Sequence, residues 1–230
     1  MRTIYKPTGA AGEYGDYALN IYTGCPHNCF YCFAPNVLHK DRKEFHTNCE
    51  PRDNIVEETA HFLESSKFTD KLVHLCFTCD PYPTGYDSKA TREIIKLLKK
   101  SGNHVQILTK GDGRRDFDLL DENDWYGITL DGSEGIAPKR AETLLEASQK
   151  GIRTWVSFEP VVNANTVLAQ IGMVDAFVDK VKIGKLNYHK SDINWKEFGE
   201  AAETLCKELG VEYYIKDALR KEMNKGVISD

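Results

Sequence analysis

Short apolar runs alternate with longer amphipathic stretches along the chain. Runs such as 72–77 and 105–109 are typical of parallel strands buried on both faces. Segment 88–100 carries apolar residues on one stripe at helical spacing, which predicts an amphipathic helix that ends before Gly102. Because this alternation continues to the end of the chain, it predicts an α/β fold with a parallel sheet.

The predicted elements form one series of β/α units. Strands are predicted at 18–22, 72–77, 105–109, 126–130, 153–158, 177–183 and 211–215, and helices at 54–65, 88–100, about 117–120, 138–150, about 166–171, 195–209 and from 217. Six or seven such units predict a partial (β/α)6-type or full TIM barrel, and a doubly wound open sheet is the main alternative. No internal repeat or linker divides the chain, so we expect a single domain over residues 1–230.

Three cysteines in one short loop carry the strongest chemical signal. Cys25, Cys29 and Cys32 form a C-x3-C-x2-C triplet directly after the first predicted strand. Three thiolates can hold an iron–sulfur cluster, but a four-iron cluster normally takes four cysteines, so one iron would stay open for a ligand. The alternative is a zinc-stabilised binding module without catalysis, which would need a fourth ligand at short range. His27 lies inside the loop, and the next cysteine is Cys49.

The cysteine spacing resembles that of the radical S-adenosylmethionine (SAM) enzymes. The resemblance implies a 4Fe-4S cluster held by Cys25, Cys29 and Cys32, with SAM chelated to the open iron. It further implies that one electron from the cluster cleaves SAM to a 5′-deoxyadenosyl radical, which abstracts hydrogen from a substrate. A flavodoxin- or ferredoxin-type electron donor is then the expected partner.

A wider stretch resembles the spore photoproduct lyase-related branch of these enzymes. The match covers residues 18–35, the Thr-Cys-Asp-Pro-Tyr run at 78–82 and the Leu-Thr-Lys run at 108–110. The resemblance implies that Tyr31 packs near the adenine of SAM. It also implies SAM contacts from Cys79 or Asp80, from Lys110 and from Thr129.

The chain departs from this family at the hydrogen-donating cysteine of spore photoproduct lyase, where it carries Phe77. Alternate strand residues face the same side of a sheet, so we expect Cys79 to share the face of Phe77 and Cys76 to point away. Cys79 is therefore the predicted catalytic thiol. Cys76 is predicted to be a buried core thiol.

Polar residues follow the predicted strands, and ligands of parallel α/β folds bind at these strand ends. The candidate cofactor-binding residues are Tyr31, Thr78, Cys79, Asp80, Lys110, Thr129, Ser157 and Lys185. An acid and a cation suit the amino and carboxylate groups of SAM, and Asp80 and Lys110 would supply them. Glu159 is the candidate for orienting the substrate or handling a proton, and its alternative is a salt bridge to Lys185. Taken singly, each of these residues could equally serve its own loop or cap a helix.

Composition narrows the class of partner. The 230 residues are 41% hydrophobic and 28% charged, with a formal net charge of −5. This charge gives no general attraction to nucleic acid, so it favours a small molecule or nucleotide, whereas the resemblance favours a nucleic-acid base. Seven cysteines, with no signal peptide and no apolar run of membrane length, lead us to expect a cytoplasmic monomer without a membrane contact.

Overall fold

The computed structural model describes residues 3–225, and its strands form one sheet in chain order. The strands are β1 (Tyr17–Leu19), β2 (Leu72–Leu75), β3 (His104–Thr109), β4 (Trp125–Thr129), β5 (Arg153–Val161), β6 (Lys180–Lys185) and β7 (Glu212–Ile215). The pairs β1–β2, β2–β3, β5–β6 and β6–β7 are all parallel. The predicted parallel α/β fold is confirmed. The sheet is open over the described residues, with β1 and β7 as its edges.

Eight helices accompany these strands in the described part of the chain. They are α1 (Ala34–Val37), α2 (Arg42–Thr47), α3 (Ile55–Ser65), α4 (Lys89–Lys100), α5 (Pro138–Gln149), α6 (Ala164–Val174), α7 (Trp195–Leu209) and α8 (Asp217–Met223). Short 3-10 helices lie at Gly9–Ala11, Arg114–Leu119 and Asp175–Phe177. No helix of the described residues is long and apolar enough to cross a membrane.

The chain divides into two compact units. The first contains the chain up to Tyr126 together with Lys150–Arg153, and the second contains Gly127–Gln149 and the chain from Thr154 onward. The expectation of a single domain stays a prediction.

In the first unit, helix α4 buries the apolar stripe from which the sequence predicts it. Its apolar stripe, Ile94, Ile95 and Leu98, is fully buried. Burying each of these side chains contributes on the order of 1.5–3 kcal/mol to folding. The helix ends where Gly102 adopts a φ of +70°, a conformation that glycine takes without strain.

In the second unit, Trp155 of β5 packs directly against the backbone of β4. A Cβ at Gly127 would lie 2.2 Å from the indole Nε1 of Trp155, so only glycine leaves room for this ring. Helix α7 begins at an Asn194 cap, whose side chain accepts a hydrogen bond from Glu197 N–H, and ends at Gly210 in the left-handed region. These local signals explain why α7 has the bounds that the sequence predicts.

Several strand ends differ from the predictions. Strand β1 ends three residues earlier than predicted and β6 ends two residues later. Strand β2 ends at Leu75 instead of 77, so Cys76 and Cys79 lie beyond the strand. Strand β5 continues to Val161, so Glu159 lies within a strand. Helices α1 and α2 were not predicted, because they are too short to show an amphipathic period.

Candidate active site

The loop after β1 carries the three predicted metal ligands, and α2 holds the backbone of this loop in place. Arg42 donates hydrogen bonds to the carbonyl oxygens of Cys29 and Cys32. His46 Nδ1 lies 2.7 Å from the carbonyl oxygen of Cys25. The N–H of Cys25 donates a hydrogen bond to the carbonyl oxygen of Phe45. Helix α2 thus engages four backbone polar groups of the three cysteines.

Close backbone contact explains the glycine before the first cysteine. A Cβ at Gly24 would lie 2.1 Å from the carbonyl oxygen of Asn48 and 2.4 Å from that of Phe45. The buried Cys49 thiol also donates a hydrogen bond to the Gly24 carbonyl at 3.2 Å. Sequence reasoning missed Gly24, although a glycine directly before a ligand cysteine is a usable signal. Cys49 acts here as a structural thiol.

The thiols of the triplet suit an iron–sulfur cluster. Cys25, Cys29 and Cys32 are unpaired by disulfides and partly buried. Burial raises the pKa of the Cys25 and Cys32 thiols, while backbone N–H groups of His27 and Ala34 act in the opposite direction by hydrogen bonding to the sulfurs. Cluster sulfurs are typically hydrogen-bonded in this way, and such bonds tune the reduction potential.

The spacing of the sulfurs argues against zinc. Tetrahedral zinc with Zn–S bonds of about 2.3 Å brings its sulfur ligands to roughly 3.8 Å from one another. In the described chain, the only three His, Cys, Asp or Glu ligand atoms within 4.8 Å of one another belong to His104, Asp121 and Asp124. The cysteine triplet is therefore more widely spread than a zinc site needs. In the other group, Asp121 and Asp124 already form ion pairs with the ammonium of Lys99.

Asp80 connects the end of β2 with the end of β3 and with the cysteine loop. Its carboxylate accepts hydrogen bonds from Tyr82 N–H and Lys110 N–H, each at 2.8 Å, and from the Thr109 hydroxyl. His27 Nε2, from the cysteine loop, lies 3.0 Å from the same carboxylate. Asp80 is buried, so these contacts define its position. It sets the geometry of the site in addition to its predicted role in binding SAM.

The predicted residues Tyr31 and Lys110 are brought together. Lys110 Nζ donates to the Tyr31 hydroxyl at 2.6 Å and lies 5.2 Å from the centre of the ring. Tyr31 comes from the cysteine loop and Lys110 from the end of β3. The structure thus brings together a cation and an aromatic ring that were both predicted to bind SAM, and their contacts with SAM stay predictions.

The turn after β2 is fixed by Asn20, which sequence reasoning missed. Its Oδ1 accepts hydrogen bonds from Phe77 N–H at 2.8 Å and Thr78 N–H at 2.9 Å. The Thr78 hydroxyl also receives a hydrogen bond from Arg52. An asparagine inside an apolar strand run was the available signal, since a buried amide needs partners. Thr78 thus lies in the turn after β2, where Asn20 and Arg52 hold it.

The two thiols after β2 interact with each other, which corrects the prediction that they face opposite sides. Each of Cys76 and Cys79 shifts the pKa of the other thiol, and Cys79 Sγ accepts a hydrogen bond from Tyr22 N–H at 3.3 Å. The alternation rule fails because β2 has already ended at Leu75. Cys76 is buried as predicted. Phe77 stacks on His74, with the ring centroids 4.3 Å apart.

In the second unit, Glu159 forms an ion pair that the sequence did not predict. Lys216 Nζ lies 2.6 Å from Glu159 Oε2, and the side chain of Lys216 is only 3% exposed. Lys185 pairs instead with Glu222 at 2.5 Å, so the expected alternative of a Glu159–Lys185 salt bridge is wrong. The role of Lys216 was not predicted, because this residue begins a charged C-terminal segment of the kind that is typically exposed to solvent.

Thr129 and Ser157, the other two candidates of this unit, are both buried. Thr129 ends β4, and its carbonyl accepts a hydrogen bond from Arg140 at 3.0 Å. Ser157 lies within β5, and its carbonyl accepts a hydrogen bond from Leu130 N–H at 3.0 Å. Their predicted contacts with SAM stay predictions.

The sequence model of the Radical SAM superfamily matches residues 19–173, which is more than half of the chain. The chain belongs to the Radical SAM superfamily. This family implies an iron–sulfur cluster and SAM as cofactors. The match includes all three cysteines of the triplet.

Curated relatives of this radical SAM protein extend beyond it in length. The uncharacterized protein Rv2578c of Mycobacterium tuberculosis is 35% identical over 125 residues, which are 52% of this chain and 37% of that protein. The uncharacterized protein MJ0683 of Methanocaldococcus jannaschii is 28% identical over 172 residues, which are 68% of this chain and 64% of that protein. The chain thus spans less than two thirds of the length of either relative.

Solved structures with the same fold include several of spore photoproduct lyase. One mutant superposes with a TM-score of 0.68 at 9% identity and covers 91% of this chain and 78% of that one. Spore photoproduct lyase complexed with dinucleoside spore photoproduct has a TM-score of 0.65 at 10% identity, with the same coverage. A further mutant with bound AdoMet and dinucleoside spore photoproduct has a TM-score of 0.65 at 9% identity and again the same coverage. At such low identity these likenesses establish the fold of the radical SAM chain.

Proposed function

We propose that Cys25, Cys29 and Cys32 hold a 4Fe-4S cluster and that the radical SAM protein acts on a nucleobase or nucleotide. The single observation that carries the cofactor proposal is the Asp80 network. It ties the cysteine loop, through His27, to the main chain at Lys110. When bound, the cluster and SAM would supply a 5′-deoxyadenosyl radical, which takes a hydrogen atom from the substrate.

The SAM site is proposed to lie beside the triplet in the first unit. Lys110 would bind the carboxylate of SAM, because its ammonium offers three N–H donors and lies at the strand end beside the cysteine loop. Tyr31 supplies a ring face of the kind on which an adenine packs. Thr78 and Asp80 would contribute polar contacts from the turn after β2.

The second unit, taken by itself, carries further candidate residues. Thr129 is proposed as a SAM-binding residue from the family resemblance, and Ser157 and Lys185 are proposed as such from their strand positions. Glu159 would orient a polar group of the substrate. The ion pair with Lys216 supports this role, because it keeps the Glu159 carboxylate fixed within β5.

Cys79 is proposed to return a hydrogen atom to the substrate. Its thiol is partly exposed, and it lies directly before Asp80 in the same turn. Phe77, at the donor position of spore photoproduct lyase, is engaged in stacking on His74 and carries no transferable hydrogen of this kind. We therefore propose a reaction different from efficient repair of spore photoproduct.

A nucleotide-sized substrate agrees best with the charge of the chain. The fold is that of an enzyme whose structure contains a dinucleoside, which supports a base or nucleotide as the substrate class. The net charge of −5 disfavours a long nucleic acid, because phosphate contacts dominate such binding.

An acidic flavodoxin or ferredoxin is proposed to dock at the rim of the cysteine loop. Phe30, Phe33 and Val37 are exposed large apolar side chains around the triplet. Residues 17–40 contain no Asp or Glu, and the exposed segment 40–44 that follows carries three basic side chains against two acidic ones, so this edge is weakly basic. Apolar contacts with a basic edge complement an acidic partner and would bring its redox centre close to the cluster.

We further propose that the enzyme works in the cytoplasm as a monomer. All seven cysteines are free thiols in the structure. Free thiols and a reducible cluster both suit a reducing compartment.

The test begins with anaerobic reconstitution of the full-length protein. We expect about four irons per chain and release of 5′-deoxyadenosine from SAM after reduction with dithionite. Cys29→Ala should lose both, whereas Cys206→Ala, at a buried position in α7, should retain them. Deuterated thymidine nucleotides then test the substrate, since label should appear in 5′-deoxyadenosine. Stoichiometric zinc with no iron would refute the cluster, and absence of label transfer would refute the substrate class.

A further inference from the structure

A second pair of cysteines in the first unit has the arrangement of a redox dithiol. Cys76 and Cys79 are separated by two residues in one turn, and each thiol shifts the pKa of the other. Neither residue belongs to the C-x3-C-x2-C triplet. Because both lie in the turn after β2, their sulfurs can approach without movement of a regular element.

The two thiols have different surroundings. Cys76 is 6% exposed and lies in the core, whereas Cys79 is partly exposed. Cys79 Sγ also accepts a hydrogen bond from Tyr22 N–H at 3.3 Å. The more accessible sulfur therefore accepts a backbone hydrogen bond that favours its thiolate form.

Electrostatics agree with this asymmetry. Burial alone would raise the pKa of the Cys79 thiol, but hydrogen bonds from Cys76 and Tyr22 N–H and the charge of Arg52 outweigh it, so the pKa is lowered. Burial raises the pKa of Cys76 well above its usual value, and its hydrogen bond to Cys79 raises it further. Dithiol redox sites typically pair one reactive thiolate with one protonated thiol.

We propose that Cys76 and Cys79 form a redox-active dithiol that closes to a disulfide by exchange with a low-molecular-weight disulfide. Cys79 is the attacking sulfur, and Cys76 is the resolving one. This activity goes beyond the proposed function, because it requires neither SAM nor a reduced cluster.

The exchange balances with glutathione disulfide as the oxidant. The Cys79 thiolate attacks one sulfur, the glutathione S–S bond breaks, and one glutathione thiolate leaves. Cys76 then loses its proton and attacks the Cys79 sulfur, which releases the second glutathione. The protein dithiol is oxidised by two electrons, and glutathione disulfide is reduced to two glutathione molecules.

A single tryptic peptide reports on this pair. Cleavage after Lys71 and Lys89 releases residues 72–89, which contain both thiols and no other cysteine. Anaerobic, cluster-containing full-length protein is equilibrated in glutathione buffers of increasing oxidation, alkylated and digested. We expect a change from the doubly alkylated peptide to an unalkylated one that is lighter than the dithiol by two hydrogen atoms.

Variants separate the two roles and supply the controls. Cys76→Ser and Cys76→Ala should both stop at a mixed disulfide between Cys79 and glutathione. Cys79→Ser should react at least about tenfold more slowly, since the buried Cys76 lacks the stabilised thiolate. Cys206→Ser should behave as wild type. Retained cluster absorbance shows that each variant is folded.

Two results would overturn the proposal. One is a wild-type peptide that stays doubly alkylated in fully oxidised buffer, and the other is Cys79→Ser reacting as fast as wild type. If the peptide forms the disulfide as expected but the protein does not cleave SAM, only the proposed function is refuted. The two proposals can therefore be distinguished by their failures.

Discussion

Replacing Asp80 with asparagine tests the network that links the cysteine loop to β2 and β3. The substitution keeps the size of the side chain but replaces one acceptor oxygen with an NH2 group, which cannot accept a hydrogen bond. In the favoured orientation, the remaining oxygen keeps its bonds to Tyr82 N–H and the Thr109 hydroxyl. Lys110 N–H then faces a second donor in place of the carboxylate oxygen that it contacts at 2.8 Å.

The size of the effect follows from this lost bond. A buried donor left without its acceptor costs about 1–3 kcal/mol, and the bonds that remain are weaker to a neutral oxygen than to a carboxylate. We therefore expect Asp80→Asn to lower the free energy of unfolding by about 2–3 kcal/mol. For a protein of 150–250 residues each kcal/mol shifts the melting temperature by about 2–4 °C, so we expect a decrease of roughly 4–12 °C.

The assay is thermal unfolding of the anaerobically reconstituted protein, followed by circular dichroism. The matched control is Asp41→Asn, because Asp41 caps α2 by accepting a hydrogen bond from Glu44 N–H and asparagine caps a helix equally well. The control should melt as wild type does. If the two variants melt at the same temperature, the reasoning about the buried network is wrong.

Three further predictions concern single side chains. Lys110→Ala should weaken SAM binding by about 1.5–3 kcal/mol in a titration while the cluster survives, and Lys96→Ala, at an exposed pair, should leave affinity unchanged. Gly24→Ala should prevent cluster assembly, because the new Cβ would overlap two carbonyl oxygens; a normal iron content would contradict this. Glu159→Ala should cost about 3–5 kcal/mol of stability by removing the carboxylate beside buried Lys216, and an unchanged melting temperature would argue against it.

Local sequence was sufficient for the order of elements along the chain and for recognising the cysteine loop. The apolar stripe of α4, the caps of α7 and the C-x3-C-x2-C spacing each lie within a few turns of chain, so they can be recognised without knowledge of the fold. The parallel sheet followed from the alternation of strands and helices, whereas the order of the strands in the sheet came from the structure. Lys110 and Tyr31 could also be predicted as site residues from the sequence, because the family resemblance implies SAM contacts for both.

Tertiary structure decided how the site is held together. Asp80 contacts Lys110 N–H from 30 positions away, and Asn20 fixes a turn 57 positions further along the chain. Strand β2 ends two residues earlier than its apolar run, and this places Cys76 against Cys79. Hydrogen bonds and ion pairs between distant segments depend on where the backbone brings their donors and acceptors. Periodicity along the sequence reports which face is buried, and it contains no information about these partners.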